Sequence, residues 1–152
     1  MKNLHLIVVG KLKDSQIEAL EQDFKKRLTL FDFKIHELKS NGDDFQKDED
    51  EITSKLTELE KTSSITAILM TENGKKLDSK DFAAWIERLL EASSTPAFII
   101  GGAAGFSKAF KREHQCSFSL SDLTFPHKLA RLLMVEQLYR AQSIIQKHPY
   151  HK

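Results

Sequence analysis

The chain has 152 residues, 40% hydrophobic and 30% charged, with a formal net charge of +1. That length fits one domain, 1–152, which can bury a core without staples. The near-neutral charge excludes a polycation, so any affinity for nucleic acid has to come from a local patch. Cys116 is the single cysteine and excludes an intrachain disulfide, which fits a reducing compartment. In its strand-like context a small buried thiol is expected rather than a nucleophile.

In chain order, "LHLIVV" (Leu4–Val9) reads as a strand closed by Gly10. The run is too short to span a membrane and has no small-residue cleavage site, so a cytoplasmic protein is expected. Asp14 can cap a helix carrying Ile17, Leu20, Phe24 and Leu28. "FKIHEL" (Phe33–Leu38) alternates as a second strand, and "KSNGDDFQKDED" reads as an acidic loop before a helix with Ile52, Leu56 and Leu59. "ITAILM" (Ile65–Met70) is a third strand, and "TENGKK" a turn with Asn73-Gly74 at its tip. A helix follows from about Ser79 to Ala92, then a strand "AFIIGG", a short helix near Ser107, a fifth strand "CSFSL" and a long helix from His127 to Lys147. Strand–helix alternation of this kind specifies an α/β fold with a mostly parallel sheet of five to six strands.

Three motifs carry chemistry. In "IIGGAAG" (Ile99–Gly105), glycines directly after an apolar strand let a ligand approach the backbone. A dinucleotide fingerprint needs a glycine where Ile100 stands, and a P-loop needs Gly-Lys-Ser/Thr, so both are excluded. A plain turn and a ligand site both remain open. In "SLSDLTFPHKL", Pro126 suits a first helical turn, with Thr124 or Asp122 as its side-chain cap. Leu120 and Gly101 would both lie at carboxyl ends of parallel strands, where open α/β sheets bind ligands.

The final helix is apolar on more than one stripe. That fits either a helix at the centre of one domain or a self-complementary contact in a homodimer, and the small sheet favours the dimer. From Pro126 onward five cations (Lys128, Arg131, Arg140, Lys147, Lys152) face one acid, Glu136, and three of the six histidines lie there. The tail "HPYHK" offers proton-handling and stacking groups, but too few neighbouring donors for a metal site.

The stretch "IIGGAAGF…LSDLTFPHKLARLLMVEQLYRAQSIIQKHPYHK", with "MKNLHLIVVGKLKD" and "LMTENGKKLDSKDFA", closely resembles the RlmH family, pseudouridine methyltransferases of the large ribosomal subunit in the SPOUT class. The resemblance covers nearly the whole chain. It implies a SPOUT α/β knot, in which the C-terminal segment forms a trefoil knot that holds S-adenosyl-L-methionine. It also implies a homodimer acting on N3 of a pseudouridine in 23S rRNA on the ribosome, with no membrane and no metal. Carried over by position, Met70, Gly101, Gly102, Leu120, Ser121, Asp122, Leu123, Thr124 and Phe125 would bind the cofactor. Where the family often has Pro-Glu, this chain has Ala103-Ala104, so an acidic role there is in doubt. N3 must lose a proton before attack. His151 would be the base, Tyr150 would orient the target, and Arg131 and Arg140 would hold phosphate or developing negative charge. A SPOUT enzyme acting on another RNA, a non-catalytic ribosome-binding factor and a nucleotide-phosphate module at the glycine motif are the rival expectations.

Overall fold

The structure, a computed structural model, describes residues 1–152. Five strands, β1 (Asn3–Val9), β2 (Asp32–Leu38), β3 (Ile65–Lys76), β4 (Thr95–Ile100) and β5 (Ser117–Ser119), form one sheet in the order β2-β1-β4-β3-β5. Every pairing is parallel, as strand–helix alternation requires. The helices are α1 (Ser15–Arg27), α2 (Phe45–Glu60), α3 (Ser79–Glu91), α4 (Lys108–Glu113) and α5 (His127–Ile145).

Side-chain alternation along the central strands sorts two cores. Leu4, Leu6 and Val8 of β1, with Phe98 and Ile100 of β4, pack with residues of α3 and α5. Ile7 and Val9 of β1, with Ala97 and Ile99 of β4, pack with Ile52, Leu56 and Phe110 of α2 and α4. Because both faces are covered, β1 and β4 are almost continuously apolar. No helix is long and apolar enough to cross a membrane.

Four details depart from the sequence reading. First, α2 begins at Phe45, inside the stretch read as an acidic loop, with Asp44 Oδ1 accepting from the Lys47 N–H at 3.1 Å. Second, "TENGKK" is no turn: β3 runs on to Lys76, and Met70 and Lys75 both lie opposite Phe118. Residues 71–74 therefore bulge out of the ladder. A Cβ at Gly74 would sit 2.6 Å from the Phe118 backbone, so only glycine fits. Third, Cys116 is exposed, not buried.

Fourth, α5 has most of its apolar surface covered within the chain. It packs between α1 and α3, and Met134 and Leu138 are fully buried. Much of the second apolar face, which the sequence reading assigned to another copy, is thus covered by α1, while Leu129 stays exposed. Charge introduced at Met134 or Leu138 would unfold the chain rather than report on a dimer.

Candidate active site

A cavity of about 360 Å³ opens where β3, β4 and β5 end, within the size range of small-molecule sites. Three chain segments wall it. The bulge of β3 supplies Met70, Thr71, Glu72 and Asn73; the exit of β4 supplies Ile100 to Ala103; the exit of β5 supplies Ser119 to Ser121 and Leu123 to Phe125. Eight of the nine residues expected to bind a cofactor line it, and Asp122 does not.

Asp122 and Thr124 explain why the third segment stays in place. Neither caps α5, whose first turn has no side-chain cap; this corrects the sequence reading. Thr124 Oγ1 instead donates to Glu72 Oε1 at 2.9 Å, and Lys76 Nζ pairs with Asp122 Oδ1 at 2.9 Å. Both fasten the loop after β5 to the bulge of β3. Inside the loop, Ser119 Oγ donates to the Ser121 carbonyl at 2.9 Å, and Ser121 Oγ accepts from the Leu123 N–H at 3.0 Å.

The glycine segment is held from below by two buried acids of α2. Glu49 accepts from the Ser107 N–H at 2.7 Å and from its hydroxyl at 2.8 Å, while Ser107 Oγ accepts from the Phe110 N–H at the start of α4. Asp48 takes two bonds from Asn41 on Oδ1, but its buried Oδ2 has no partner. A Cβ at Gly102 would lie 2.5 Å from that oxygen, and one at Gly101 would meet the Phe106 ring at 3.0 Å. The edge of β4 is thus bare backbone by necessity. Ala103 and Ala104 occupy an exposed turn closed by the Gly105 N–H on the Gly102 carbonyl at 3.0 Å.

These walls suit a ligand with an apolar plane, hydrogen-bonding groups and a cation. The cavity offers Ile100, Phe118 and Leu120 as apolar surface, backbone around Ser119 to Ser121, and one carboxylate, Glu72. The features of S-adenosyl-L-methionine, an adenine, hydroxyls and a sulfonium, match that donor set.

The four residues expected to be catalytic separate into two groups. Arg131 is buried on α5, its Nε and Nη2 donating to Glu21 of α1 at 2.6 and 2.8 Å and its Nη1 to Glu37 of β2 at 2.5 Å. Burial opposes ionisation of Glu37, yet bonds from Arg131 and the Leu12 N–H hold its carboxyl below the usual range. Three of its five N–H donors are thus spent on two carboxylates that offset its charge, which sets Arg131 apart from the substrate-facing role expected of it.

Arg140, Tyr150 and His151 do come together, around Glu136. Arg140 donates to Glu136 Oε1 from Nε at 3.1 Å and from Nη2 at 2.7 Å, and the Tyr150 hydroxyl donates to the same oxygen at 3.1 Å. The guanidinium lies 4.9 Å from the Tyr150 ring centre, and that ring packs edge-on to Tyr139. Burial and the Glu136 charge both raise the Tyr150 pKa. Arg140 Nη1 lies 3.1 Å from His151 Nδ1. A guanidinium only donates, so Nδ1 is the acceptor in this contact. The chain reverses at Lys147, with φ +57, and the His148 N–H bonds the Ser143 carbonyl at 2.7 Å. The tail is folded back onto α5 rather than frayed.

Sequence reasoning missed Glu72, Asn73, Phe106, Lys111 and His127 in the cavity wall. The bulge residues were signalled by Gly74, but glycine beside asparagine marks a hairpin turn as well as a bulge. No group of three or more His, Cys, Asp or Glu could hold a metal ion.

Comparison with known proteins adds a family. The model of a family described as predicted SPOUT methyltransferase matches residues 1–151. A relative from Coprothermobacter proteolyticus, named ribosomal RNA large subunit methyltransferase H, is 37% identical over 98% of this chain and 99% of its own. Among solved structures, a probable methylase family protein from Haemophilus influenzae matches with a TM-score of 0.58 at 12% identity, over 99% of this chain and 71% of that one. The SpoU methyltransferase AviRb from Streptomyces viridochromogenes, solved with AdoMet, matches with a TM-score of 0.53 at 13% identity, over 93% of this chain and 58% of that one.

Proposed function

The chain belongs to the SPOUT methyltransferase family, in the group of the ribosomal RNA large subunit methyltransferases H, and on that premise we propose that it methylates N3 of a pseudouridine in 23S rRNA with S-adenosyl-L-methionine as donor. The observation that carries the reading is the cavity at the strand ends, lined by eight of the nine residues that the family resemblance assigns to the cofactor. The cofactor supplies an activated methyl group on a sulfonium, so the protein needs no nucleophile.

The chain's own residues have three tasks. Gly101, Gly102 and the Leu120–Phe125 loop bind and orient, the loop held shut by the Thr124–Glu72 and Lys76–Asp122 contacts. Ile100, Phe118 and Leu120 exclude water. His151 takes the N3 proton through Nδ1, once that nitrogen is released from Arg140, and Arg140 is then free to face phosphate or developing negative charge. Tyr150 keeps the pair in register through Glu136.

We also propose a homodimer. Arg140 lies thirteen residues along α5 from His127, which is about 20 Å of helix. The tail cluster of one chain is therefore remote from its own cavity and would serve that of a second copy. The single-domain organisation and the family's trefoil knot are proposed with the same premise.

Transfer of a labelled methyl group to isolated large ribosomal subunits tests the reading. Label in the 23S rRNA, lost when the target uridine has not been converted to pseudouridine, is the expected result. Label only in another RNA would favour a different SPOUT substrate. Binding to ribosomes without label would favour a non-catalytic factor.

A further inference from the structure

A second cavity, of about 520 Å³, lies beside the first. It is built from the exit of β1 (Gly10 to Lys13), the exit of β2 (Lys39 and Ser40) and the first turn of α5. Gly102, Ala103 and His127 line both cavities, so a wall of bare backbone and one imidazole is all that separates them. The wall is thin because Asp48 leaves no room for a side chain on Gly102.

The charge of this second cavity is one-sided. Lys11, Lys13, Lys39 and Lys128 line it, all exposed, and no Asp or Glu does. Arg131 also reaches it, but Glu21 and Glu37 neutralise that guanidinium. Asp14 Oδ2 lies 3.8 Å from Lys128, while its Oδ1 is occupied capping α1. The other ammonium groups have no ion pair within 4.0 Å. In a chain of net charge +1, four cations around an acid-free cavity are a local concentration. The loop that carries two of them is held in an unusual conformation: Gly10 has φ +103 and Lys13 has φ +46, a region L-residues seldom adopt.

Resting on the methyltransferase reading, we propose that the second cavity receives the phosphodiester backbone flanking the target nucleotide of an RNA substrate, and that the target base crosses the Gly102–Ala103 edge to meet the first cavity. Lysines are compact point charges suited to phosphate without reading sequence. His127, exposed at the shared edge, offers a plane on which an unstacked base can rest. A protein occupant fits less well. The chain's own tail carries His148, His151 and Lys152 and no acidic side chain, so it does not complement four lysines.

The test uses the full chain with Lys11, Lys13 and Lys39 replaced together by Gln, and isolated large ribosomal subunits carrying the pseudouridine as the RNA substrate. RNA binding is measured against salt concentration, with S-adenosylmethionine affinity and melting temperature alongside. The expected result is a salt slope reduced by roughly 2–3, about one per lost phosphate contact, and a KM for RNA at least tenfold higher at unchanged kcat and cofactor affinity. If the triple variant melts early, the three single Lys→Gln variants replace it, each expected to lower the slope by about one. An unchanged slope and KM would overturn the assignment, as would unchanged RNA affinity with a shifted monomer–dimer equilibrium, which would make the cavity a protein contact. If the unmodified protein neither binds S-adenosylmethionine nor methylates RNA, it is the methyltransferase reading that fails. If it does both and the variants match it, only the second cavity is wrongly assigned.

Discussion

Arg131 and Arg140 sit nine positions apart on one helix, and the same role was expected of both. At the N-terminal end of α5, Arg131 is buried and held by two carboxylates from α1 and β2 through three hydrogen bonds. At the C-terminal end, Arg140 is half-buried and divided between Glu136, a Tyr150 ring and a histidine nitrogen that it can release. A buried charge offset by two carboxylates of the fold is a stability element. One whose partners lie on a short terminal segment can exchange them. The two ends of α5 thus separate a charge locked into the fold from one whose partners can change.

The sharpest way to break the comparison is at Arg131. Arg131→Ala leaves Glu21, fully buried, without a partner, and a loss of about 3–5 kcal/mol is expected, read as a fall in the denaturant midpoint. Arg131→Lys should recover little, because an ammonium cannot bridge both carboxylates bidentately. Retention of full stability in Arg131→Ala would erase the distinction.

At the other end the expectation reverses. Removing residues 148–152, or His151→Ala, should lower methyl transfer to ribosomal subunits by at least 10²-fold, with cofactor affinity nearly unchanged. Tyr150→Phe should lower it less, since the Arg140–Glu136 pair persists. Transfer at close to the full rate by the truncated protein would place the base elsewhere.

Cofactor binding should be indifferent to the tail. At a free concentration 100 times Kd, S-adenosylmethionine should stabilise the protein by about 2.7 kcal/mol, a melting shift of about 5–10 °C for a chain of this size. S-adenosylhomocysteine should act alike. A shift with ATP and none with either sulfur ligand would remove the cofactor assignment.

The smallest effect lies outside α5, at His5 of β1 and His36 of β2, whose ring nitrogens share a 3.0 Å hydrogen bond. Burial, then the neighbouring imidazole and Lys34, lowers His5 from 6.5 to about 4, while burial and Lys55 lower His36; Asp32 and Glu58 oppose these shifts. The unfolded chain therefore binds protons that the fold refuses. The stability from this pair is full above pH 6.5 and is lost as pH falls toward 4. His5→Phe should flatten that part of the stability profile, and an unaltered profile would exclude the pair as its source.

Which parts of this were legible in the sequence follows from where the partners lie. The apolar cores of the strands and the Asp14 cap depend on neighbours in sequence, and both were readable. Arg131 was misread because its partners lie 110 and 94 positions away, and a lone cation on a helix gives no sign of them. The start of α2 looked like a solvated loop because Asp48 and Glu49 are buried only through Asn41 and Ser107. The bulge at Gly74 was taken for a turn because its cause is the backbone of Phe118, a strand away.

The ties between α1 and α5 also bear on how the chain is made. Gln142 accepts the Thr29 and Leu30 N–H groups through Oε1 and donates to the Arg27 carbonyl, closing the end of α1 across 112–115 positions. Glu21 is covered from equally far along the chain. During synthesis from the N-terminus, α1 therefore emerges with a bare acid and open backbone donors, and stays so until α5 has been made. Sheet pairings can begin early, but the layer containing α1 closes only through contacts 110–115 positions apart, a non-local step of the kind that slows folding.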